Sequence, residues 1–167
     1  DHAILDVIGK DDNQAKKPAK TLNLNGVNAV NAGTLPATTG WKTITLEEPT
    51  EGRYFCFEAL NAQNANDNST SIAEFEILGE DGKSVSSINW KVVFADSEET
   101  TKAANGADKL FDIQESIIWQ TKIGDKANHP HQVVIDMGKD VKVTGFRILP
   151  RTDKSTKGMV KDYRFFL

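Results

Sequence analysis

Short runs of alternating apolar and polar residues, separated by polar turns, recur along most of the chain. Residues 41–46 (WKTITL) and 53–60 (RYFCFEAL) show the period-two pattern that is typical of strands. The same pattern predicts further strands over residues 72–78, 90–95, 117–121, 131–136, 141–149 and 159–167. Many short strands with turns between them predict an all-β fold, an antiparallel β-sandwich.

Helical patterns are scarce outside these runs. Only residues 98–110 have a claim to helix, and Gly106 interrupts that segment. Near the start of the chain, residues 3–8 predict a short strand. Residues 21–39 alternate only weakly, at Leu22, Leu24 and Val27, and predict one more strand. We therefore treat residues 1–40 as an N-terminal extension or the first strands, and residues 41–167 as the sandwich.

The stretch from His129 to Arg151 is the most informative part of the pattern. Two runs rich in β-branched residues flank a turn that contains Gly138. Neither face of residues 141–149 is clearly polar after Thr144, which predicts a strand covered on both sides. Pro150 ends the ladder because it has no N–H to donate, so Arg151 is expected at the rim of a rigid sheet, where binding residues commonly lie.

Composition and charge narrow the function classes. The chain has 167 residues, 20 Lys and Arg against 24 Asp and Glu, and a net charge of −4. A nucleic-acid or anionic-membrane role needs a basic footprint, so we expect neither, and no apolar run is long enough to predict membrane insertion. The single cysteine, Cys56, lies in an apolar run and is interpreted as a core residue.

No catalytic signature is present in the sequence. The three histidines are His2, His129 and His131, and no glycine-rich phosphate loop, nucleophile elbow or zinc motif accompanies them. We interpret His129 and His131 as residues of a strand entry, where one ring bonds the neighbouring loop. The prediction is that this chain is not itself an enzyme.

Five segments carry a family resemblance, in chain order WKVVFADSEET, KLFDIQESIIWQT, HPHQVVIDMGK, VTGFRILPR and GMVKDYRFF. In this order they resemble the discoidin domain (coagulation factor 5/8 type C). The nearest type is the galactose-binding-like, family 32 carbohydrate-binding module of bacterial glycan-degrading enzymes. The resemblance implies a jelly-roll sandwich and a sugar-binding role.

The order of the segments is unusual for that family. Residues 41–83 resemble its closing strands, whereas residues 84–167 resemble its opening strands. The chain is either the tail of one module joined to the head of the next, or one sandwich in permuted strand order. We prefer the second, because residues 160–167 would otherwise leave an apolar edge strand exposed, and because chain termini often lie close together.

The resemblance also implies a sugar site on the loops. Arg151 matches the family's arginine, whose planar fork donates two hydrogen bonds to sugar hydroxyls. Gln120 stands where a histidine is expected and Lys157 where an asparagine is expected, and the stacking aromatic is missing. The predicted carbohydrate-binding residues are Arg151, Gln120, His131, Lys157 and Asp153.

Two of the proposed roles have alternatives. Arg151 also fits a surface ion pair with Asp153 or Asp162. Trp41 is the tryptophan expected to be most exposed, and therefore a second candidate for contact with a sugar, whereas Trp90 and Trp119 are interpreted as core.

A calcium ion accompanies the sugar site in the relatives. Asp112 matches their aspartate, but Ile113 and Ile117 replace a glycine and a threonine, and Arg164 stands where an acidic residue is often found. Calcium is thus the only cofactor that the resemblance suggests, with Asp112 as its ligand.

We therefore interpret the chain as a non-catalytic accessory module of a larger, extracellular, cell-surface or periplasmic glycan-degrading protein, such as a glycoside hydrolase. Its partners would be a galactose-type or acidic sugar and the neighbouring domains of the parent enzyme. The alternative is a structural or protein-interaction module with a vestigial sugar site, packed on a catalytic domain; exposed apolar residues at one end of the sandwich would favour it.

Overall fold

A computed structural model describes residues 4–7 and 20–167. Within them, eight β-strands pair antiparallel and a 3₁₀ helix spans Ala107–Phe111. The strands are β1 (Asn31–Thr34), β2 (Lys42–Ala59), β3 (Ser71–Ile72), β4 (Glu74–Leu78), β5 (Lys91–Ala95), β6 (Trp119–Gln120), β7 (His131–Leu149) and β8 (Asp162–Phe166). No helix in this part of the chain is long and apolar enough to cross a membrane.

Two long strands build the sandwich. β2 and β7 have 18 and 19 residues, and their pairing is interrupted between Thr45 and Thr50 and again between Gly52 and Tyr54. Such irregularities bend a strand, so each long strand contributes to two layers. The start of β2 and the end of β7 form one layer with β4, whereas the end of β2 and the start of β7 form the other with β1, β5 and β8.

Aromatic side chains fill the space between the layers. Phe57 of one layer contacts Phe75 and Phe146 of the other, with ring centres 5.3 and 6.0 Å apart. Phe146 also lies 4.8 Å from Phe165, which belongs to the layer of Phe57. These side chains are 2% exposed or less. The prediction of an all-β antiparallel sandwich is confirmed.

Strands from both segments of the chain share this sheet and core. β2 and β4 come from residues 41–83, whereas β5, β7 and β8 come from residues 84–167. The jelly-roll type, the permuted order and the boundary at residue 40 stay predictions.

The outer face of the second layer is covered by residues 20–30, called the strap here. Leu22 and Leu24 of the strap are 3% and 2% exposed and pack with Cys56, Val134 and Phe166. Both faces of β2 are therefore buried over residues 55–59, which explains the continuous apolar character of that run.

A polar network fixes the strap to the sheet. Gln132 accepts a hydrogen bond from Leu22 N at 2.7 Å and donates to Leu22 O and to the buried carboxylate of Glu58. Arg164 pairs with the second oxygen of Glu58 at 2.6 Å. A buried charge is tolerated when it is paired in this way.

Several predicted boundaries were wrong. Residues 41–46 and 53–60 were predicted as two strands but form the single bent strand β2. Residues 131–136 and 141–149 were likewise predicted as two strands flanking a turn at Gly138, but they belong to the single strand β7. The strand predicted over residues 3–8 is a helical turn at residues 4–7, and the flanking residues of that prediction lie outside the described chain. The predicted strand at 21–39 is reduced to β1, and only the 3₁₀ helix remains of the helical segment at 98–110.

Candidate functional site

One end of the sandwich is formed by the loops that follow β6 and β7 and the loop that precedes β3. Gly158 joins two of them, since its N–H donates to Asp67 Oδ2 at 2.6 Å and its carbonyl accepts from Ser71 N at 2.9 Å. Gly158 has φ +79°, and a Cβ there would lie 2.6 Å from Ser71 N. Only glycine fits this close approach, so the loop at residues 151–158 is held against residues 67–71.

Glu99 holds the third loop in place. Its Oε2 accepts from the N–H groups of Thr101 and Lys102, both at 2.8 Å, and its Oε1 accepts from Ile123 N at 3.0 Å. The hydrogen bond from Lys102 N and the others together outweigh the cost of burial and lower the pKa of Glu99 to about 2. This carboxylate fastens residues 121–123 to the turn that follows β5.

A cleft of about 270 Å³ opens between these loops and is called the lysine cleft. It is lined by Lys122, Lys126 and Lys157 and by the polar residues Asn68, Ser69 and Gln120. Of the predicted sugar-binding residues, the structure places Gln120 and Lys157 here. Gln120 is 7% exposed, and its Oε1 accepts from Asn105 Nδ2 at 3.1 Å.

Arg151 lines a second cleft of about 420 Å³, called the Arg151 cleft. Its guanidinium donates twice to Asp153, from Nε to Oδ1 at 2.8 Å and from Nη2 to Oδ2 at 2.6 Å. This pairing was one of the two alternatives from sequence. Three of its five N–H groups remain outside that pair. Asn105 lines the Arg151 cleft and bonds Gln120 of the lysine cleft, so the two clefts adjoin.

His131 lies beneath the loops instead of in either cleft. It is 1% exposed, with Nδ1 2.8 Å from Asp96 Oδ2 and Nε2 2.6 Å from Asn68 O. Burial disfavours the charged ring, but the hydrogen bond and charge of Asp96 outweigh it, so the pKa of His131 is raised. Both nitrogens are used inside the protein, and this histidine holds the loop that carries Asn68.

Asp112 follows the C-terminal end of the 3₁₀ helix and lies beside the carboxyl group of Glu74. Glu74 is 5% exposed, and its Oε1 has no hydrogen-bond partner among the described residues. Burial, together with the neighbouring Asp112, raises the pKa of Glu74 to about 9. Two carboxyl groups so close require a shared proton or a cation.

The backbone at this point also departs from ordinary geometry. Ile113 has φ +64° and is 84% exposed, a strained conformation for a β-branched residue. Ile113 is the middle residue of a turn in which Asp112 Oδ1 accepts a hydrogen bond from Gln114 N at 2.9 Å. A hard cation binds carboxylate and carbonyl oxygens, and the orphaned Glu74 oxygen beside Asp112 fits that requirement. Within residues 4–7 and 20–167, no group of three or more His, Cys, Asp or Glu side chains is placed to hold a metal.

Trp41 lines a cavity of about 740 Å³, called the Trp41 cleft. Its Nε1 donates to Glu115 at 2.9 Å, and Arg147 Cζ lies 4.3 Å from its ring centre. The guanidinium therefore covers one face of the indole. Ile88 and Ile113, which are 86% and 84% exposed, lie on the rim of this cleft.

Several functional groups at these sites were missed from sequence. Glu74, Glu99, Lys122 and Lys126 were not singled out as site residues. Glu74 lies beside Asp112, and Glu99 bonds Ile123 as well as its neighbours Thr101 and Lys102. Contacts between residues so far apart in the chain leave no local pattern in the sequence.

Comparison with known proteins gives one family. The family model of the F5/8 type C domain matches residues 87–167, which contain β5 to β8 and the loops of both clefts. This family consists of modules that bind carbohydrates or other ligands and are generally non-catalytic. The resemblance to it is confirmed over these residues. None of the curated proteins matches the chain.

Proposed function

We propose that the chain is a non-catalytic carbohydrate-binding module whose ligand lies on the loops of the lysine and Arg151 clefts. The family match of residues 87–167 supports a binding role. The observation that carries the location is that two adjoining clefts, lined by polar and basic side chains, occupy the same end of the sandwich. Loops on a rigid sheet are the usual place for such a site.

The side chains have distinct roles in this proposal. Arg151, oriented by Asp153, donates its remaining N–H groups to sugar hydroxyls, and Lys157 donates from the neighbouring cleft. Gln120 is held by Asn105 and presents its amide at the boundary between the clefts. His131 acts indirectly, because it positions Asn68 without reaching the ligand.

A cation is part of the proposal. Glu74 and Asp112 would hold calcium, which would supply structural stabilisation of the turn at residues 112–114. Both carboxyl groups lie away from the two sugar clefts, so the ion would not contact the sugar through them.

The wider setting is also a proposal. A similarity to family 32 carbohydrate-binding modules supports an accessory role in a larger secreted or cell-surface glycan-degrading protein. In that setting the module would keep the enzyme near its substrate, outside the cytoplasm.

The direct test is calorimetric titration with a panel of neutral and acidic oligosaccharides. We expect saturable binding that Arg151→Ala weakens at least about tenfold, the effect of losing one charge-assisted hydrogen bond. Arg53→Ala is the matched control, because Arg53 also pairs with an aspartate, Asp136, on another surface. Absence of binding across the panel would refute the proposal.

The exposed isoleucines support a second candidate function, docking to a neighbouring domain. Ile88 and Ile113 both line the Trp41 cleft together with Trp90 and Phe111, and contiguous exposed apolar surface commonly marks an interaction site. In a longer polypeptide that carries this chain, hydrogen exchange at residues 84–90 and 111–115 would be slower than in the isolated chain. Equal exchange in both would exclude this role.

A further inference from the structure

The lysines that line the lysine cleft form no ion pair with the described residues of the chain. Lys122, Lys126 and Lys157 all line this cleft, and none forms an ion pair with a residue in the described part of the chain, whereas Lys109 and Lys142 elsewhere do. Lys102 adds a fourth amine, because its Nζ would lie 3.8 Å from a Cβ placed at Gly124 of the same loop. Three lysines therefore line one concave site, and the amine of a fourth lies beside the loop that carries Gly124.

The acidic groups nearby are directed inward or outnumbered. Asp67 accepts from Ser69 N, Ser69 Oγ and Gly158 N, and Glu99 accepts from backbone N–H groups as described above. Asp125 is the single acidic residue lining the lysine cleft, and its Oδ1 accepts from Ala127 N at 3.1 Å. A chain of net charge −4 thus carries a locally positive cleft.

We propose that this cleft binds an acidic glycan, in which a uronate carboxylate or a sulfate group is held by Lys122, Lys126 and Lys157. This inference rests on the proposed carbohydrate-binding function and specifies its ligand. Ammonium groups form charge-assisted hydrogen bonds with such oxygens, and the polar residues Asn68 and Ser69 line the same cleft.

The size and polarity of the site favour a glycan over a membrane. A volume of about 270 Å³ is just below the range of drug-sized pockets, about 300–1,000 Å³, and suits a terminal sugar. Membrane binding would be helped by exposed apolar side chains beside the lysines, but Ile123, which lines the lysine cleft, is half-buried, and the strongly exposed Ile88 and Ile113 lie on the Trp41 cleft.

The experiment compares two ligands that differ only in charge. A galacturonic acid trimer and its methyl ester are titrated into the full chain at low and high salt, with galactose 6-sulfate as the sulfate probe. We expect the acid to bind at least about tenfold more tightly than the ester, and its affinity to fall with added salt because exposed charges are screened. Lys122→Gln with Lys157→Gln should remove most of that preference.

The control is Lys91→Gln with Lys139→Gln, which removes the same charge from exposed positions on other elements. It should keep the preference, and thermal unfolding should show that both variants fold. Equal binding of the acid and the ester would overturn the acidic preference and leave carbohydrate binding standing. Binding to neither, with binding to vesicles of phosphatidylserine and phosphatidylcholine in equal parts, would replace the glycan with a membrane. Binding to no sugar or vesicle would refute both proposals.

Discussion

Glu74 illustrates how burial and one neighbour change the chemistry of a residue. The pKa of Glu74 is about 9 in the folded chain, against an ordinary value of 4.5. At neutral pH Glu74 is therefore protonated in the folded chain and ionised in the unfolded chain. The folded state then loses stability as pH rises from about 4.5 to about 9, and below that window the group has no effect.

Glu74→Gln should remove this loss, because the amide resembles the protonated acid and can donate to Asp112. We expect the variant to be more stable than the native chain by up to about 5 kcal/mol at pH 8 without calcium, because pH 8 lies about 3.5 units above the unfolded pKa, and to show no difference near pH 4. Thermal unfolding across pH measures this effect.

Added calcium should also distinguish the native chain from Glu74→Gln. Added calcium should raise the unfolding temperature of the native chain and leave that of Glu74→Gln unchanged, since the variant lacks the carboxylate. An equal calcium effect in both proteins would place the ion elsewhere or exclude it.

Ile113 carries a cost that the sequence does not reveal. A β-branched residue at φ +64° is strained by about 1–2 kcal/mol relative to glycine. Ile113→Gly should therefore stabilise the chain by about 1 kcal/mol in urea unfolding, because part of the gain is lost to the greater freedom of glycine when unfolded. Ile88→Gly is the control, since Ile88 is equally exposed without a positive φ, and it should not stabilise. A loss of stability in Ile113→Gly would contradict the strain argument.

Residue roles were predictable only where a motif fixed the position. Arg151 was identified because Pro150 ends a strand and leaves it on the rim, and its partner Asp153 lies two residues away. His131 was assigned to the sugar, yet its environment depends on Asp96 and Asn68, which come from distant loops. Local sequence does not predict the hydrogen-bond partners of the two His131 ring nitrogens, because both partners come from distant segments.

At the scale of elements, the strap is the part whose importance the sequence understates. Residues 20–30 contain no strand, but Leu24 is 2% exposed against Val134 and Phe166. Polar Asn and Gly residues around it weakened the alternation, so the segment resembled a loop. The backbone N–H and C=O of Leu22 both bond the side chain of Gln132, an arrangement that has no counterpart in ordinary strand pairing.

Leu24→Ala should destabilise the chain by about 2–5 kcal/mol, the usual cost of truncating a fully buried leucine. Leu60→Ala is the matched control, because Leu60 is 36% exposed, and it should cost less than about 1 kcal/mol. Urea unfolding compares the two. Equal small effects would mean that the strap is not an integral part of the core.

β2 shows why strand boundaries were wrong although strand existence was right. The two alternating runs at residues 41–46 and 53–60 were detected, but the polar residues between them suggested a turn. In the structure those residues form the bend that moves β2 from one layer to the other. A polar bend within a strand and a polar turn between two strands have the same composition, so only the pairing with β7 distinguishes them.

For the whole molecule, the topology brings the lysine and Arg151 clefts together and places the Trp41 cleft elsewhere on the surface. The lysine and Arg151 clefts lie on the loops after β6 and β7, whereas Glu74 and Ile113 line the Trp41 cleft. The fold class followed from strand periodicity, because period-two patterns depend on local sequence. The clefts did not, because each is lined by segments that are distant in the chain.

Ligand binding on the loops of the lysine and Arg151 clefts can be located by ¹⁵N chemical-shift mapping with the galacturonic acid trimer. We expect the backbone signals of Gln120, Lys122, Gly124 and Lys157 to shift saturably, together with the Arg151 side chain. The indole N–H of Trp41 should stay in place. Shifts confined to Trp41 and residues 84–90, with the loop signals unchanged, would contradict binding on these loops.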